Sequence, residues 1–240
     1  MNYYRTFYSP QNVTTIIVGD FDFDTVLAKV QKEFNWGDRP TPPERNILPD
    51  RPVEKTVYIE NKANINSTFM MFGYLGVPAK DLKNLIALEM LAVILGEGTS
   101  SRLYVNLVEN IDEQIFNMID AENYSFRDGS NFFIQANLNP QYKDKAIELI
   151  KNELEKIKDG VSERELNKAK KKLKSRFACE AETVSEIGES IGYYMTVCDD
   201  LDLAEQYIPI CNSMTSDDLA EVAKKYLNIN NAVISVLEPK

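Results

Sequence analysis

The chain has 240 residues, with 27 Lys and Arg against 37 Asp and Glu, a formal net charge of −10, and no histidine. Because imidazole is the commonest metal ligand and a frequent catalytic base, this composition excludes a His-ligated zinc site and the Ser-His-Asp and Cys-His active sites from this chain alone. The acidic balance also argues against a nucleic-acid or anionic-membrane surface, since both are bound through basic patches.

Residues 1–39 have the pattern of a helix–strand–helix fragment. An aromatic-rich start precedes an apolar run at residues 13–18, which predicts a strand, and Gly19 and Asp20 predict a turn. Asp22 or Asp24 is then expected to cap a helix. A fragment of this size cannot bury a hydrophobic core by itself.

Residues 40–52 contain five of the ten prolines: Pro40, Pro42, Pro43, Pro49 and Pro52. Such a density favours an extended backbone over a helix or a strand. The sequence therefore predicts a stiff linker between the N-terminal fragment and a complete domain at residues 53–240.

That domain is predicted to be α+β. Strands are expected at residues 56–60, 67–75, 114–121, 131–138 and 232–237, with a turn at residues 61–66. A strongly apolar, largely buried helix is expected at residues 82–95, ended by Gly96 and Gly98, and Thr99 or Ser100 should cap a short helix that reaches residue 109.

The C-terminal part of the chain reads as mostly helical. Apolar spacing predicts a helix at residues 142–158. Capping boxes are expected at Ser162 with Glu165 and at Thr215 with Asp218. A helix between them carries Gly188 and Gly192 on one stripe, where small residues permit close packing.

The two ends of the chain have similar sequence patterns. Residues 7–12 precede the apolar run 13–18 as residues 226–231 precede 232–237, each with an aromatic followed five residues later by Asn. We interpret residues 1–39 as the tail of one unit and residues 53–240 as a second unit of the same kind.

Three features of the sequence resemble binding or catalytic sites, but their residues support these interpretations only weakly. The Gly-rich segment 95–103 lacks the lysine of a phosphate loop, so we predict a helix-to-helix turn. Residues 143–176 hold twelve Lys or Arg and seven Asp or Glu, which indicates either solvated helix faces or a surface for an acidic partner. The three cysteines, Cys179, Cys198 and Cys211, match no metal or redox spacing and are interpreted as buried thiols.

The order and spacing of five motifs resemble those of the pitrilysin/insulinase family of zinc metallopeptidases, which includes the processing peptidases. The motifs are residues 4–12 (YRTFYSPQN) with 16–20 (IIVGD), 64–66 (NIN) with 72–76 (FGYLG), 95–104 (LGEGTSSRLY), 162–170 (SERELNKAK) and 215–219 (TSDDL). The resemblance covers essentially the whole chain. It implies a mixed, mostly antiparallel sheet with helices packed on one face.

The resemblance also implies what this chain lacks. Active members carry an H-x-x-E-H zinc motif in their first half, and their second half supplies an Arg and, seven residues on, a Tyr that reach the substrate. Aligned on residues 101–103, those two positions are Val108 and Ile115, whose side chains donate no hydrogen bond. No catalytic or metal-binding residue is therefore expected in this chain, and zinc is expected in an upstream half or a separate partner subunit.

The sequence is interpreted as the non-catalytic half of a zinc peptidase, inactive alone and forming one wall of a chamber that holds an unfolded peptide. The alternative is a catalytically dead scaffold or assembly subunit with the same fold. The expected partners are a catalytic half carrying H-x-x-E-H, the peptide, and, for the isolated fragment, a second copy of the chain. No nucleic acid and no membrane span are expected, and a bacterial cytoplasm or periplasm is the expected compartment.

Overall fold

A mixed sheet organises the part of the chain that the structure describes. The computed structural model describes residues 1–34, 41–44, 46–48 and 50–240. The strands in those ranges are β1 Val57–Ala63, β2 Thr68–Leu75, β3 Phe116–Ser125, β4 Ser130–Leu138 and β5 Val233–Pro239. They lie in the order β1-β5-β2-β4-β3, and only β1 and β5 run parallel. The predicted mixed, mostly antiparallel sheet is confirmed.

The connection between the first two strands differs from its prediction. The turn expected at residues 61–66 begins later, because β1 continues to Ala63. The last strand of the chain lies between β1 and β2, so these sequence neighbours do not pair. The reason is that β1 forms a parallel ladder with β5 from Val57 opposite Val233 to Ala63 opposite Pro239, which extends the strand through the polar stretch.

One buried helix forms the centre of the core. The helices are α1 Asn2–Phe7, α2 Phe23–Glu33, α3 Leu82–Gly96, α4 Arg102–Tyr104, α5 Lys143–Ile157, α6 Glu163–Cys179, α7 Val184–Tyr193, α8 Asp202–Ser213 and α9 Ser216–Tyr226. Helix α3 is buried along most of its length and packs against β3, β4, α6, α8 and α9. Its predicted burial is confirmed. None of the described helices is long and apolar enough to cross a membrane.

Three of the four predicted helix caps are formed. Asp22 caps α2, and the capping boxes at Ser162 and Thr215 are both formed. The expected cap at Thr99 or Ser100 is wrong. A turn closed by the Ser101 N–H and the Gly98 carbonyl, 3.1 Å apart, occupies those two residues, and α4 begins after Ser101.

The helices cover one face of the sheet and leave the other open. In β2, the side chains of Met70 and Phe72 are buried under the helices, whereas Phe69 and Met71, which alternate with them, are 47% and 38% exposed. Met118 on the outer strand β3 is also exposed on the open side. Side chains alternate between the faces of a strand, so these residues share the uncovered face.

The predicted strand at residues 13–18 is wrong in the described structure. No backbone ladder pairs this segment with a described strand, so it is not part of the sheet. It packs instead on α7, where a Cβ at Gly192 would lie 3.4 Å from Cδ1 of Ile16 and one at Gly188 would lie 3.8 Å from Cγ2 of Val18. The expectation that these glycines permit close packing is confirmed.

The two ends of the chain repeat a local geometry. In each, a helix is followed by a short 3₁₀ turn, at Pro10–Asn12 and at Ile229–Asn231, and then by extended backbone. The N–H of Asn12 donates to the Ser9 carbonyl and that of Asn231 to the Asn228 carbonyl, both at 2.9 Å. Only the C-terminal copy continues as a sheet strand. The division into residues 1–39, 40–52 and 53–240 stays a prediction, and residues 35–40, 45 and 49, which include Pro40 and Pro49, lie outside the described residues.

Candidate functional site

The two positions that the family resemblance singled out both belong to the hydrophobic core. Val108 lies in the helical turn after α4 and packs, partly buried, against the core, and Ile115 is fully buried just before β3. The carbonyl of Ile115 accepts a hydrogen bond from the Asn139 N–H at 3.0 Å. Both residues contribute packing here. Their correspondence to substrate-contacting positions stays a prediction.

Two of the sequence motifs meet at a single ion pair. Nε of Arg102 donates to Oε1 of Glu165 at 2.5 Å, and its Nη2 donates to Oε2 at 2.9 Å. Glu165 also accepts from the Ser162 N–H at 2.8 Å, which closes the capping box of α6. The hydrogen bonds from Arg102, together with those from Ser162, lower the pKa of Glu165 to about 2. The pair joins the start of α4 to the start of α6.

The Gly-rich segment is a turn between helices, as predicted. Gly98 adopts φ of 81°, a conformation that favours glycine. The carboxylate of Glu97 forms ion pairs with Lys172, at 2.6 Å, and with Arg176. Burial acts to raise the pKa of Glu97, but the hydrogen bonds from these two cations leave it below its ordinary value.

The basic cluster of α6 is largely engaged within the fold. Nζ of Lys168 donates to Oγ of Ser100 at 2.6 Å, and Nζ of Lys170 donates to the Asn212 carbonyl at 2.7 Å. Lys174 reaches the side chain of Asn212 at 3.1 Å. These contacts tie α6 to the turn after α3 and to α8. They favour a structural role over a surface for an acidic partner.

A cavity of about 430 Å³ opens beside the outer strand β3. It lies among α3, the C-terminal end of α6, α7 and α8. Its acidic lining residues are Glu89, Glu180, Glu186 and Glu189, with Arg176 also present, and its aromatic ones are Phe177, Tyr193, Tyr194 and Tyr207. The rings of Phe177 and Tyr207 stack with centroids 4.9 Å apart. The cavity thus combines carboxylates with aromatic walls.

Glu89 is the principal titratable group of this cavity. The hydroxyl of Tyr207 donates to its Oε2 at 2.8 Å. Burial raises the pKa of Glu89 to about 7, although the bond from Tyr207 and the charge of Arg176 both act to lower it. The sequence-based interpretation missed this residue. The available signal was a single carboxylate within the otherwise apolar run from residue 85 to residue 95.

The zinc implied by the family resemblance does not fit the residues present. Structural and catalytic zinc sites use imidazole, thiolate or carboxylate donors that converge on one ion. The chain contains no histidine, and the described ranges hold no group of three or more His, Cys, Asp or Glu side chains placed to bind a metal. The glutamates of the cavity therefore form no such group.

The cysteines are only partly as predicted. Cys198 and Cys211 are buried, and burial raises the pKa of both thiols. Cys179 is exposed at the C-terminal end of α6. The interpretation as three buried thiols is wrong for Cys179, because it lies in the last turn of an amphipathic helix whose polar side faces solvent.

Comparison with known proteins identifies the family. The model described as "Peptidase M16 inactive domain" matches residues 1–173. The chain belongs to the peptidase M16 inactive-domain family. The sequence resemblance to pitrilysin-type zinc metallopeptidases is thereby confirmed.

The named relatives and solved structures that this chain matches are longer than the chain itself. It is 27% identical over 243 residues to the zinc protease PqqE of Helicobacter pylori, covering 99% of this chain and 54% of that protein. A crystal structure of a protease from Helicobacter pylori superposes with a TM-score of 0.86 at 25% identity, covering 99% of this chain and 58% of the other. The peptidase M16 inactive domain from Pseudomonas fluorescens superposes with a TM-score of 0.77 at 18% identity, covering 91% and 51%. The M16 chain described here spans about half the length of these relatives.

Proposed function

We propose that this M16 inactive domain forms one wall of the peptide chamber of a zinc peptidase. The catalytic half, with its H-x-x-E-H motif and zinc, would be an upstream part of the same polypeptide or a separate subunit. The observation that carries the proposal is the uncovered face of the sheet, on which the apolar side chains of Phe69, Met71 and Met118 are exposed. An unfolded peptide offers both apolar side chains and backbone groups to such a surface.

This wall would act by enclosing the peptide and excluding water. Burying apolar surface is favourable by about 25 cal/mol per Å², so an open apolar face favours contact with a peptide or with an opposing half over contact with water. Excluding water from the chamber strengthens the electrostatic interactions inside it. The chain would thus contribute to cleavage without supplying a group that touches the reacting atoms.

The N-terminal segment supports an upstream half. Residues 13–18 follow a 3₁₀ turn like the one that precedes β5, yet no described strand pairs with them. We infer that they complete the sheet of a preceding homologous unit, and that their packing on α7 holds the two units together. The Helicobacter pylori relative is named a zinc protease, and this chain spans 54% of it, which supports a further half.

A reconstitution assay tests this function. The chain, a separately produced zinc-bearing half, and their mixture are each incubated with an unstructured quenched-fluorescence peptide, with and without a chelator. We expect cleavage by the mixture only, and its loss with the chelator. Met71→Lys should lower the rate of the mixture, whereas Met195→Lys, an equally exposed methionine away from the sheet, should not.

Cleavage by the chain alone would contradict the proposal. If no zinc-bearing half, upstream or elsewhere, gives activity with this chain, the scaffold alternative replaces it. The bacterial cytoplasm or periplasm stays a prediction for the compartment.

A further inference from the structure

The carboxylates that line the cavity beside β3 outnumber the cations that line it. Four glutamates and one arginine line it. The guanidinium of that arginine, Arg176, already forms an ion pair with Glu97 outside the cavity. Burial raises the pKa of Glu89 to about 7, so its ionised form is short of a compensating cation. A ligand carrying one positive charge would supply it.

The aromatic walls favour the same kind of ligand. Phe177 and Tyr207 are stacked nearly parallel, with 7° between their planes. Tyr193 and Tyr194 meet edge to face, with centroids 5.4 Å apart. An ammonium or guanidinium group is attracted to aromatic faces, and the aliphatic stem of a Lys or Arg side chain packs against them.

A second observation indicates that the ligand carries amide groups. Both Nδ2 and Oδ1 of Asn123 are buried and lack a hydrogen-bond partner among the described residues. A buried polar group without a partner costs about 1–3 kcal/mol, so a donor and an acceptor left unpaired together favour a partner that offers both. A peptide group has this pair of functions.

The surroundings of Asn123 leave room for an extended chain. A second cavity of about 390 Å³ shares Glu89, Asn123 and Arg176 with the first. It follows the outer strand β3 past Asp120 and Tyr124, and further carboxylates line it. The two cavities therefore adjoin each other at the three shared residues, beside the outer strand.

We propose that the cavity among α3, α6, α7 and α8 binds a lysine or arginine side chain of a peptide whose backbone is held by Asn123. The glutamates at the rim attract the cation, the aromatic rings surround its stem, and the Asn123 amide pairs with a peptide group. This inference rests on the proposed chamber function, because it assumes that the ligand is a peptide. It adds a preference for a basic residue.

Matched peptides test the inference on the whole chain. Three unstructured peptides, acetylated and amidated to remove terminal charges, differ only at one central residue, which is Lys, norleucine or Glu. Binding is measured by fluorescence anisotropy, and the side-chain amide of Asn123 is followed by nitrogen-15 NMR. We expect the Lys peptide to bind about 10-fold more tightly than the norleucine peptide, the Glu peptide to bind more weakly still, and the Asn123 amide signal to shift.

Two double variants separate the cavity from general charge. Glu180→Gln with Glu189→Gln removes two rim carboxylates that take part in no capping box, and should reduce the Lys preference to about twofold. Glu148→Gln with Glu221→Gln removes two exposed carboxylates on α5 and α9 that line neither cavity, and should keep the preference. Thermal unfolding verifies that both variants are folded.

Equal affinity for the Lys and norleucine peptides, a preference kept by the rim variant, or an Asn123 signal that does not move would each overturn this inference. None of these results affects the chamber function, because that function is measured separately by the activity of the reconstituted halves. Conversely, inactive reconstituted halves would reject the chamber function even if the cavity prefers lysine.

Discussion

At the scale of single residues, Glu165 shows how one side chain can belong to two motifs. The pattern Ser162-x-x-Glu165 predicts a capping box, and the structure forms it. The same carboxylate also binds Arg102 with two hydrogen bonds, a contact across sixty-three residues of sequence. Helix-start rules operate within a few residues, so they predicted the first role and could not predict the second.

The dual role of Glu165 predicts a pH-dependent stability. Its folded-state pKa of about 2 lies below the ordinary 4.5, so the stabilisation is present above about pH 4.5 and is lost as the pH falls toward 2. Glu165→Gln should lower the free energy of unfolding by about 2–3 kcal/mol near pH 6, and by progressively less toward about pH 3. Urea unfolding across this range measures the difference.

The control for this prediction is Glu163→Gln, an exposed residue in the first turn of the same helix. It should cost no more than about 0.5 kcal/mol, which is the usual size of a helix-dipole contact. A Glu165 variant whose loss of stability is the same at every pH would show that the ion pair with Arg102 is not what lowers the carboxyl pKa.

At the scale of elements, the end of α3 combines two glycines with different functions. The sequence predicted that both Gly96 and Gly98 end the helix. The helix ends at Gly96, before the extended C-cap Glu97, and Gly98 then turns the chain with a positive φ. No atom lies within 4 Å of where the Cβ of Gly98 would be. Gly96 is still helical, and a Cβ there would lie 1.8 Å from the backbone nitrogen of Ala121. Its absence of a side chain allows α3 to contact the outer strand β3.

Alanine at each glycine should therefore have different costs. Gly98→Ala strains only the local backbone and should cost about 1 kcal/mol. Gly96→Ala forces backbone away from backbone and should cost about 3 kcal/mol or more, or prevent folding. Equilibrium urea unfolding of both variants tests this. Equal stability of the two would mean that α3 and β3 do not approach so closely.

Residues 13–18 show that composition alone does not predict whether a segment becomes a strand. Their apolar, β-branched pattern is typical of a buried strand. A strand, however, also needs a neighbour to complete its hydrogen bonds, and the described structure offers them the glycine stripe of α7 instead. The same pattern at the C-terminus becomes β5 because β1 and β2 lie on either side of it.

At the scale of the whole molecule, the helices pack on one side of the sheet only and leave its other face open. Stable protein interfaces bury about 800 Å² on each partner, and apolar faces of this kind are typical of such contacts. When no other half is present, a second copy of the chain can cover the face. We therefore expect the isolated chain to self-associate.

Sedimentation of the chain over a range of concentrations tests this expectation. The mean mass should rise with concentration, and Phe69→Lys on the open face should shift the association to higher concentrations by about tenfold or more. Phe126→Lys changes an equally exposed phenylalanine in the β3–β4 turn and should have little effect. A chain that stays monomeric at all concentrations, or two variants with the same effect, would contradict this role of the sheet face.

The sequence by itself determined what is local or compositional. Zero histidines exclude an imidazole-ligated metal from the chain, periodicity and capping residues located most helices and strands, and the spacing of the motifs identified the family. These features depend on residues within one or two turns of each other, or on residue counts alone.

The tertiary structure alone decided which distant segments meet. It inserted β5 between β1 and β2, joined Arg102 to Glu165, and packed Val108 and Ile115 in or against the core. It also placed Glu89 in a cavity with the aromatic rings of α6, α7 and α8. The physical reason is that burial and hydrogen-bond pairing are properties of the packed chain, and a residue's neighbours in space are not encoded by its neighbours in sequence.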